Sequence, residues 1–225
     1  MPMTVSSLMK KNDNTTDSMK RFGLFLLKNN IHLMTLVFVG WAVWAACNWA
    51  ELALVQKLVM GMYAWLIVHE YEEGYKGRFV ALFAQVFHFD VAALLPGLTH
   101  IAQAVYITVM FSLALIFPDV LWLSLATFIL GIFEGFVHNM GIFIFRLRGV
   151  SPGWYTAVLM AVYAIWALVV LNHNIDYAGI QWLWAALYFV AGFACLEVSV
   201  QKALGNTLEH IKTSVKAFAK QRFGD

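Results

Sequence analysis

Four stretches of this chain run for 20 residues or more without a charged side chain: 29–50, 91–118, 149–175 and 177–196. A helix of about 20 apolar residues is what the hydrocarbon core of a bilayer requires. Inside that core every backbone polar group must find its partner within the protein, so helices and closed barrels are the available structures. The short alternating strands of a barrel are absent from the sequence. The chain therefore reads as all-α, a polytopic transmembrane helical bundle. Composition agrees: of 225 residues, 61% are hydrophobic and 12% charged, about half the charged share of an ordinary soluble domain.

Helices are expected near 31–50, 53–73, 98–117, 120–145, 153–172 and 179–203. Pro2, Pro96, Pro118 and Pro152 all fall outside these segments or at their edges, where proline does least harm to a helix. With six spans and a cytoplasmic N-terminus, every basic residue except Lys57 falls on the cytoplasmic side. That bias predicts both termini inside and, for a bacterial-type cell, residence in the plasma (inner) membrane. Lys57 can snorkel on the far side. The segment 79–97, "FVALFAQVFHFDVAALLPG", is expected as a re-entrant or interfacial helix broken at Pro96-Gly97, because a full crossing would displace Arg146 and Arg148 to the outside.

Three parts follow: a polar and amphipathic N-terminal tail (1–30), a transmembrane domain (31–203), and a basic amphipathic tail helix (204–225). In the last, Leu204, Leu208, Ile211, Val215 and Phe218 form a stripe from which Lys212, Lys216 and Lys220 are absent. Such a helix suits an anionic membrane surface; the alternative is a short helix–helix contact with a partner chain. The first 22 residues hold no apolar signal-peptide core. Cys47 and Cys195 read as small core hydrophobes. The expected partners are membrane lipids and a small lipid-like molecule, not nucleic acid; the sequence sets no oligomeric state.

Ionisable residues inside membrane spans are costly and usually face a cavity or one another. The second expected helix carries His69, Glu70, Glu72 and Glu73, the fourth Glu134 and His138 followed by Asn139, and the sixth Glu197. From His69, Glu72 lies at i+3 and Glu73 at i+4, on the same face. Glu70 points about 100 degrees away, from the 3.6-residue turn, and is expected to meet water or headgroups. Glu134 and His138 share a face with Gly131 and Gly135, a GxxxG spacing that admits a close neighbouring helix. Counting at about 1.5 Å per residue from Lys76 and Arg146 puts the two histidines at matched depth.

Two His/carboxylate pairs converging on one point make a ligand set for Zn, Mn or Fe as a divalent metal. The expected roles are His69, His138 and one of Glu72 or Glu134 as ligands, with Glu72 and Glu73 as catalytic carboxylates. Asn139, Glu197, His88, Asp90 and His100 are possible additions. His32 and His173 are expected at the membrane interface and His210 in solvent; Trp65 is expected in the core.

The stretch "HEYEE" at 69–73 resembles the signature of the HXXEE-domain membrane proteins, and "EGFVHN" at 134–139 and "SPGWYTA" at 151–157 are similar to that family's later segments. The resemblance would cover about residues 33–203. It implies that His69, Glu72 and Glu73 form the defining site, and it implies neither a metal nor a substrate.

Three functions compete. The first is an intramembrane metal-dependent enzyme, a hydrolase ahead of an iron oxidoreductase, acting on a lipid or membrane-soluble substrate from the inner leaflet. The second is a small proton-coupled transporter using Glu134 and Glu197. The third is a non-catalytic membrane scaffold.

Overall fold

The computed structural model describes residues 18–87, 97, 100–145, 147, 149–203 and 205–223. It is helical, with no strand among the described residues. A helix α1 over 18–28 leads into α2 (Asn30–Cys47), α3 (Leu54–Gly74), a single 3-10 turn at Tyr75–Gly77, α4 (Arg78–Phe87), α5 (Ile101–Ile116), α6 (Leu121–Phe145), α7 (Trp154–Asn174), α8 (Ile180–Ala203) and α9 (Leu208–Phe223). The six expected segments thus appear as α2, α3, α5, α6, α7 and α8, displaced by a few residues at their ends.

Four of these helices, α2, α6, α7 and α8, are long and apolar enough to cross a membrane. This marks the chain as a membrane protein. The other two fall short of that standard for different reasons: α5 has 16 residues, and α3 is interrupted by Gln56, Lys57, His69, Glu70, Glu72 and Glu73.

α6 is the inner helix. Its apolar window is 61% buried, against 17% for α2 and 11% for α8. The outer helices expose Leu36, Val43, Ile165, Trp166, Trp184 and Leu187, an apolar exterior suited to lipid. The interior is filled by Met62, Tyr63, Met110, Phe111, Leu125 and Phe128, all without exposed surface. Tyr63 and Phe111 stack with ring centroids 4.6 Å apart.

The GxxxG spacing does what it predicts. A Cβ on Gly135 would stand 2.6 Å from the Ala161 Cβ, and one on Gly131 would stand 3.1 Å from the Ala164 Cβ. α6 and α7 therefore pack with their backbones close, and this contact presses the start of α7 toward the polar residues of α6. Gly61 plays a similar part for α3: a Cβ there would overlap the Tyr163 hydroxyl, which donates to the Leu58 carbonyl at 3.0 Å.

The segment 79–97 begins as α4, ten residues long and too short to span. The chain turns into it at Lys76 and Gly77, both with left-handed φ, 57° and 64°. His88, Asp90 and Pro96 lie outside the described residues. Gly97 docks on the α1–α2 junction, its carbonyl accepting from Asn30 Nδ2 at 2.8 Å. Cys47 and Cys195 are exposed rather than in the core: each sits on the outward face of an outer helix, where a small apolar side chain suits lipid equally well. α9 rests against α4 of the same chain; of its stripe, Val215 is exposed. Lys57 lies over the Trp49 ring at 5.3 Å. His32 pairs with the Tyr71 hydroxyl at 2.8 Å, His173 is exposed, and Trp65 is packed against the core.

Candidate metal centre

α3 and α6 each contribute one histidine and one glutamate, four residues apart, to a common point. His69 Nε2 lies 3.7 Å from Glu73 Oε2 and 3.8 Å from Glu134 Oε2. His138 Nε2 lies 3.9 Å from Glu73 Oε1 and 3.6 Å from Glu134 Oε2. The two imidazoles meet edge to face, with centroids 5.0 Å apart. His69, Glu73 and His138 are buried, and one ligand atom of each lies within 4.8 Å of the others, so this group could hold a metal ion. Glu134 reaches both histidines and keeps 17% of its side chain exposed.

These separations are too long for hydrogen bonds. His69 is 1% exposed, and its Nε2 has no hydrogen-bond partner. Two ligand atoms about 2.1 Å from one ion at the tetrahedral angle stand about 3.4 Å apart. The four histidine–glutamate gaps exceed that by a few tenths of an ångström, and the single ligand atoms of His69, Glu73 and His138 lie up to 4.8 Å apart, so these side chains would have to draw together around an ion.

The outer nitrogens settle which proton each ring carries. Ser151 Oγ donates its hydrogen to the His138 carbonyl at 3.0 Å, so at 3.1 Å from His138 Nδ1 it must accept. Thr156 Oγ1 donates to Glu72 Oε2, so at 3.1 Å from His69 Nδ1 it also accepts. Both rings therefore carry a hydrogen on Nδ1. In the neutral form, Nε2 then presents a lone pair inward. Two lone pairs and two carboxylates facing one buried point require a cation there, either a metal ion or protons.

A turn at 151–153 holds this arrangement. Pro152 precedes Gly153, which has φ 79°. A Cβ on Gly153 would stand 2.8 Å from His69 Cε1, 3.0 Å from His138 Cε1 and 3.2 Å from Glu73 Cβ. Glycine is thus demanded twice, by the left-handed backbone and by the two rings against it.

Glu72 is not in the centre, and its expected roles as ligand and catalytic carboxylate are corrected. It caps α7, accepting from the Thr156 N–H at 2.9 Å, the Tyr155 N–H at 3.3 Å and the Thr156 hydroxyl. A carboxylate at a helix N-terminus satisfies otherwise unpaired donors. Glu70, expected at water or headgroups, is instead 3% exposed and accepts from Gln103 Nε2 at 2.8 Å. The cause is that α5 also packs against α3 and covers Glu70 with Gln103.

The other candidates stand apart. Asn139 donates to the Gly135 carbonyl at 2.6 Å and accepts from Trp154 Nε1 at 3.1 Å, tying α6 to the start of α7. His100 stands at the N-terminus of α5 and is not in the described cluster. Glu197 lines the adjoining cavity. That cavity, about 190 Å³, opens beside the centre. Glu73, Glu134 and His138 form one end of it, and Leu66, Ile107, Leu130, Phe133 and Leu196 are among its apolar walls.

Four functional residues were not singled out from the sequence: Ser151, Gly153, Thr156 and Gln103. The first three lie in "SPGWYTA", where Pro-Gly before a helix was the available signal. Gln103 carried none.

Comparison with protein-family models, with curated proteins and with solved structures found no match.

Proposed function

We propose that this chain is a membrane-embedded, metal-dependent hydrolase, with six helices crossing the bilayer and α3 and α5 completing the span count. Its substrate is a membrane-soluble ester or amide. The observation that carries the reading is the buried, partnerless His69 Nε2, facing Glu73 and Glu134 beside an apolar cavity.

His69, His138 and Glu73 are assigned as ligands, a His₂Glu set that leaves a fourth position open, as catalytic zinc sites do. Mn and Fe suit the same donors. A divalent ion held there polarises a substrate carbonyl and favours ionisation of water. Glu134 is the general base: it is the more exposed carboxylate, within 3.6–3.8 Å of both imidazoles, and it lines the cavity. It takes a proton from water as the water oxygen bonds to the acyl carbon. It returns that proton to the leaving oxygen or nitrogen as the C–O or C–N bond breaks. Ser151 and Thr156 hold the imidazoles in the tautomer that binds metal. The likeness of "HEYEE" to the HXXEE signature fits this assignment for His69 and Glu73, while Glu72 serves as the helix cap.

The test is elemental analysis of protein purified in detergent without chelator. One equivalent of a transition metal, lost in both His69→Ala and His138→Ala, is expected. Folded wild-type protein that takes up no Zn, Mn or Fe on dialysis would show that protons fill the centre, and would end the hydrolase reading.

A further inference from the structure

The cavity is more specific than a generic lipid contact. It lies between α4, α5, α6 and α8, walled chiefly by apolar side chains, with its polar groups drawn from α3, α5, α6, α8 and the 151–152 turn. A cavity of about 150 Å³ holds a benzene ring, and drug-sized ligands need roughly 300–1,000 Å³. At about 190 Å³ this one accepts a single chain of roughly six to eight carbons, scaled from the benzene case.

Charge narrows the ligand further. Three carboxylates line the cavity, Glu73, Glu134 and Glu197, and no lysine or arginine is among the described lining residues. Glu197 is contributed by α8, near enough to Glu134 for their charges to interact, and it has a hydrogen bond from Gln201 one turn on but no cation among the described lining residues. A carboxylate facing an apolar cavity is costly without a counter-ion. A ligand with an alkyl chain and a protonated amine supplies both partners: the chain fills the apolar space, and the ammonium meets Glu197 in a charge-assisted hydrogen bond. An anionic head is repelled by the same wall.

We propose that this cavity binds a single-chain alkylamine or its amine-bearing derivative, with Glu197 as the counter-ion of the amine. The proposal rests on the site named above for its location, not on the presence of a metal.

Equilibrium dialysis of radiolabelled octylamine against the protein in nanodiscs, with empty nanodiscs as background, tests it. Octanol and octanoate serve as head-group comparisons of equal chain length. Saturable octylamine binding is expected, about tenfold tighter than octanol, as for loss of one charged hydrogen bond, with no saturable octanoate binding by the chelated protein. Glu197→Gln should weaken octylamine about tenfold and leave octanol unchanged. Leu196→Trp, which fills the apolar wall, should weaken both. Saturable octanoate binding to the chelated protein, or octylamine affinity unaffected by Glu197→Gln, would overturn the proposal. Metal content is measured on the same samples and the dialysis is repeated after chelation. A metal-free protein that still binds octylamine through Glu197 would sink the hydrolase and leave this site standing.

Discussion

Gly153→Ala is the most informative single substitution, because one methyl group would press on three of the proposed centre's side chains. Two costs arise at once. The residue sits at φ 79°, where a non-glycine residue costs roughly 1–2 kcal/mol. The new Cβ would also stand 2.8 Å and 3.0 Å from two histidine rings that are walled in by α3, α6 and α7. Overpacking of a filled interior costs roughly 1–3 kcal/mol. The sum is about 2–5 kcal/mol, or a fall in Tm of roughly 5–15 °C for a chain of this size. Because the rings must turn away, metal affinity should fall by at least the 10–100-fold seen when orienting partners are lost.

Two other glycines separate the causes. Gly205 has φ 77° with nothing within 4 Å of its Cβ position, so Gly205→Ala carries the backbone cost alone. Gly149→Ala carries neither cost. The assay is Tm by intrinsic tryptophan fluorescence together with bound metal per chain. The expected order of Tm is Gly149→Ala, then Gly205→Ala, then Gly153→Ala, with metal lost only in the last. If Gly153→Ala kept both its metal and its Tm, the crowding described at the turn would be refuted, and with it the placement of both imidazoles.

Thr156→Val removes the acceptor of His69 Nδ1 and should reduce metal affinity 10–100-fold, read by competition with a chromophoric chelator; Thr156→Ser should restore most of it. Ser151→Ala does the same to His138 and should have an effect of similar size. Gln103→Leu leaves the buried Glu70 without its donor and should cost about 1–3 kcal/mol in stability, read as a lower Tm; a Tm equal to that of the wild type would refute the buried Gln103–Glu70 bond. Bound metal should fall as pH is lowered, since protons compete for Nε2 and the carboxylates. Occupancy that stayed constant down to pH 4 would speak against imidazole ligands.

The helices were legible because the chain writes them twice, in apolar length and in the placement of proline. The pairing of His69 with Glu73, and of Glu134 with His138, was legible from four-residue spacing. What spacing on one helix cannot give is the direction from which its neighbours arrive. Glu70, Glu72 and Glu73 occupy one turn and a fraction of α3. Their fates were decided by α5 on one side, by the start of α7 on another and by α6 between them. Glu72 and Glu70 were therefore misjudged, one as a ligand and one as solvated. Thr156 was hidden for the same reason: its partner His69 is 87 residues away in sequence. Gly153 is conspicuous as a glycine after a proline, but only the three-dimensional arrangement shows that two imidazoles rest against it.

The turn at 151–153 also imposes an order on biogenesis. The ribosome delivers His69 and Glu73 first, then Glu134 and His138, and only afterwards Ser151, Gly153 and Thr156. At about 5–20 residues per second, the interval from His69 to Thr156 lasts roughly 4–17 s. For those seconds the first imidazole has no group to fix its tautomer, and the start of α7 is not there to be capped by Glu72. A nascent chain stopped before Ser151 would carry every proposed ligand and still lack a built centre. Any ion held by the proposed centre would therefore be bound after α7 is inserted, and the arrival of that helix would be the natural checkpoint for it.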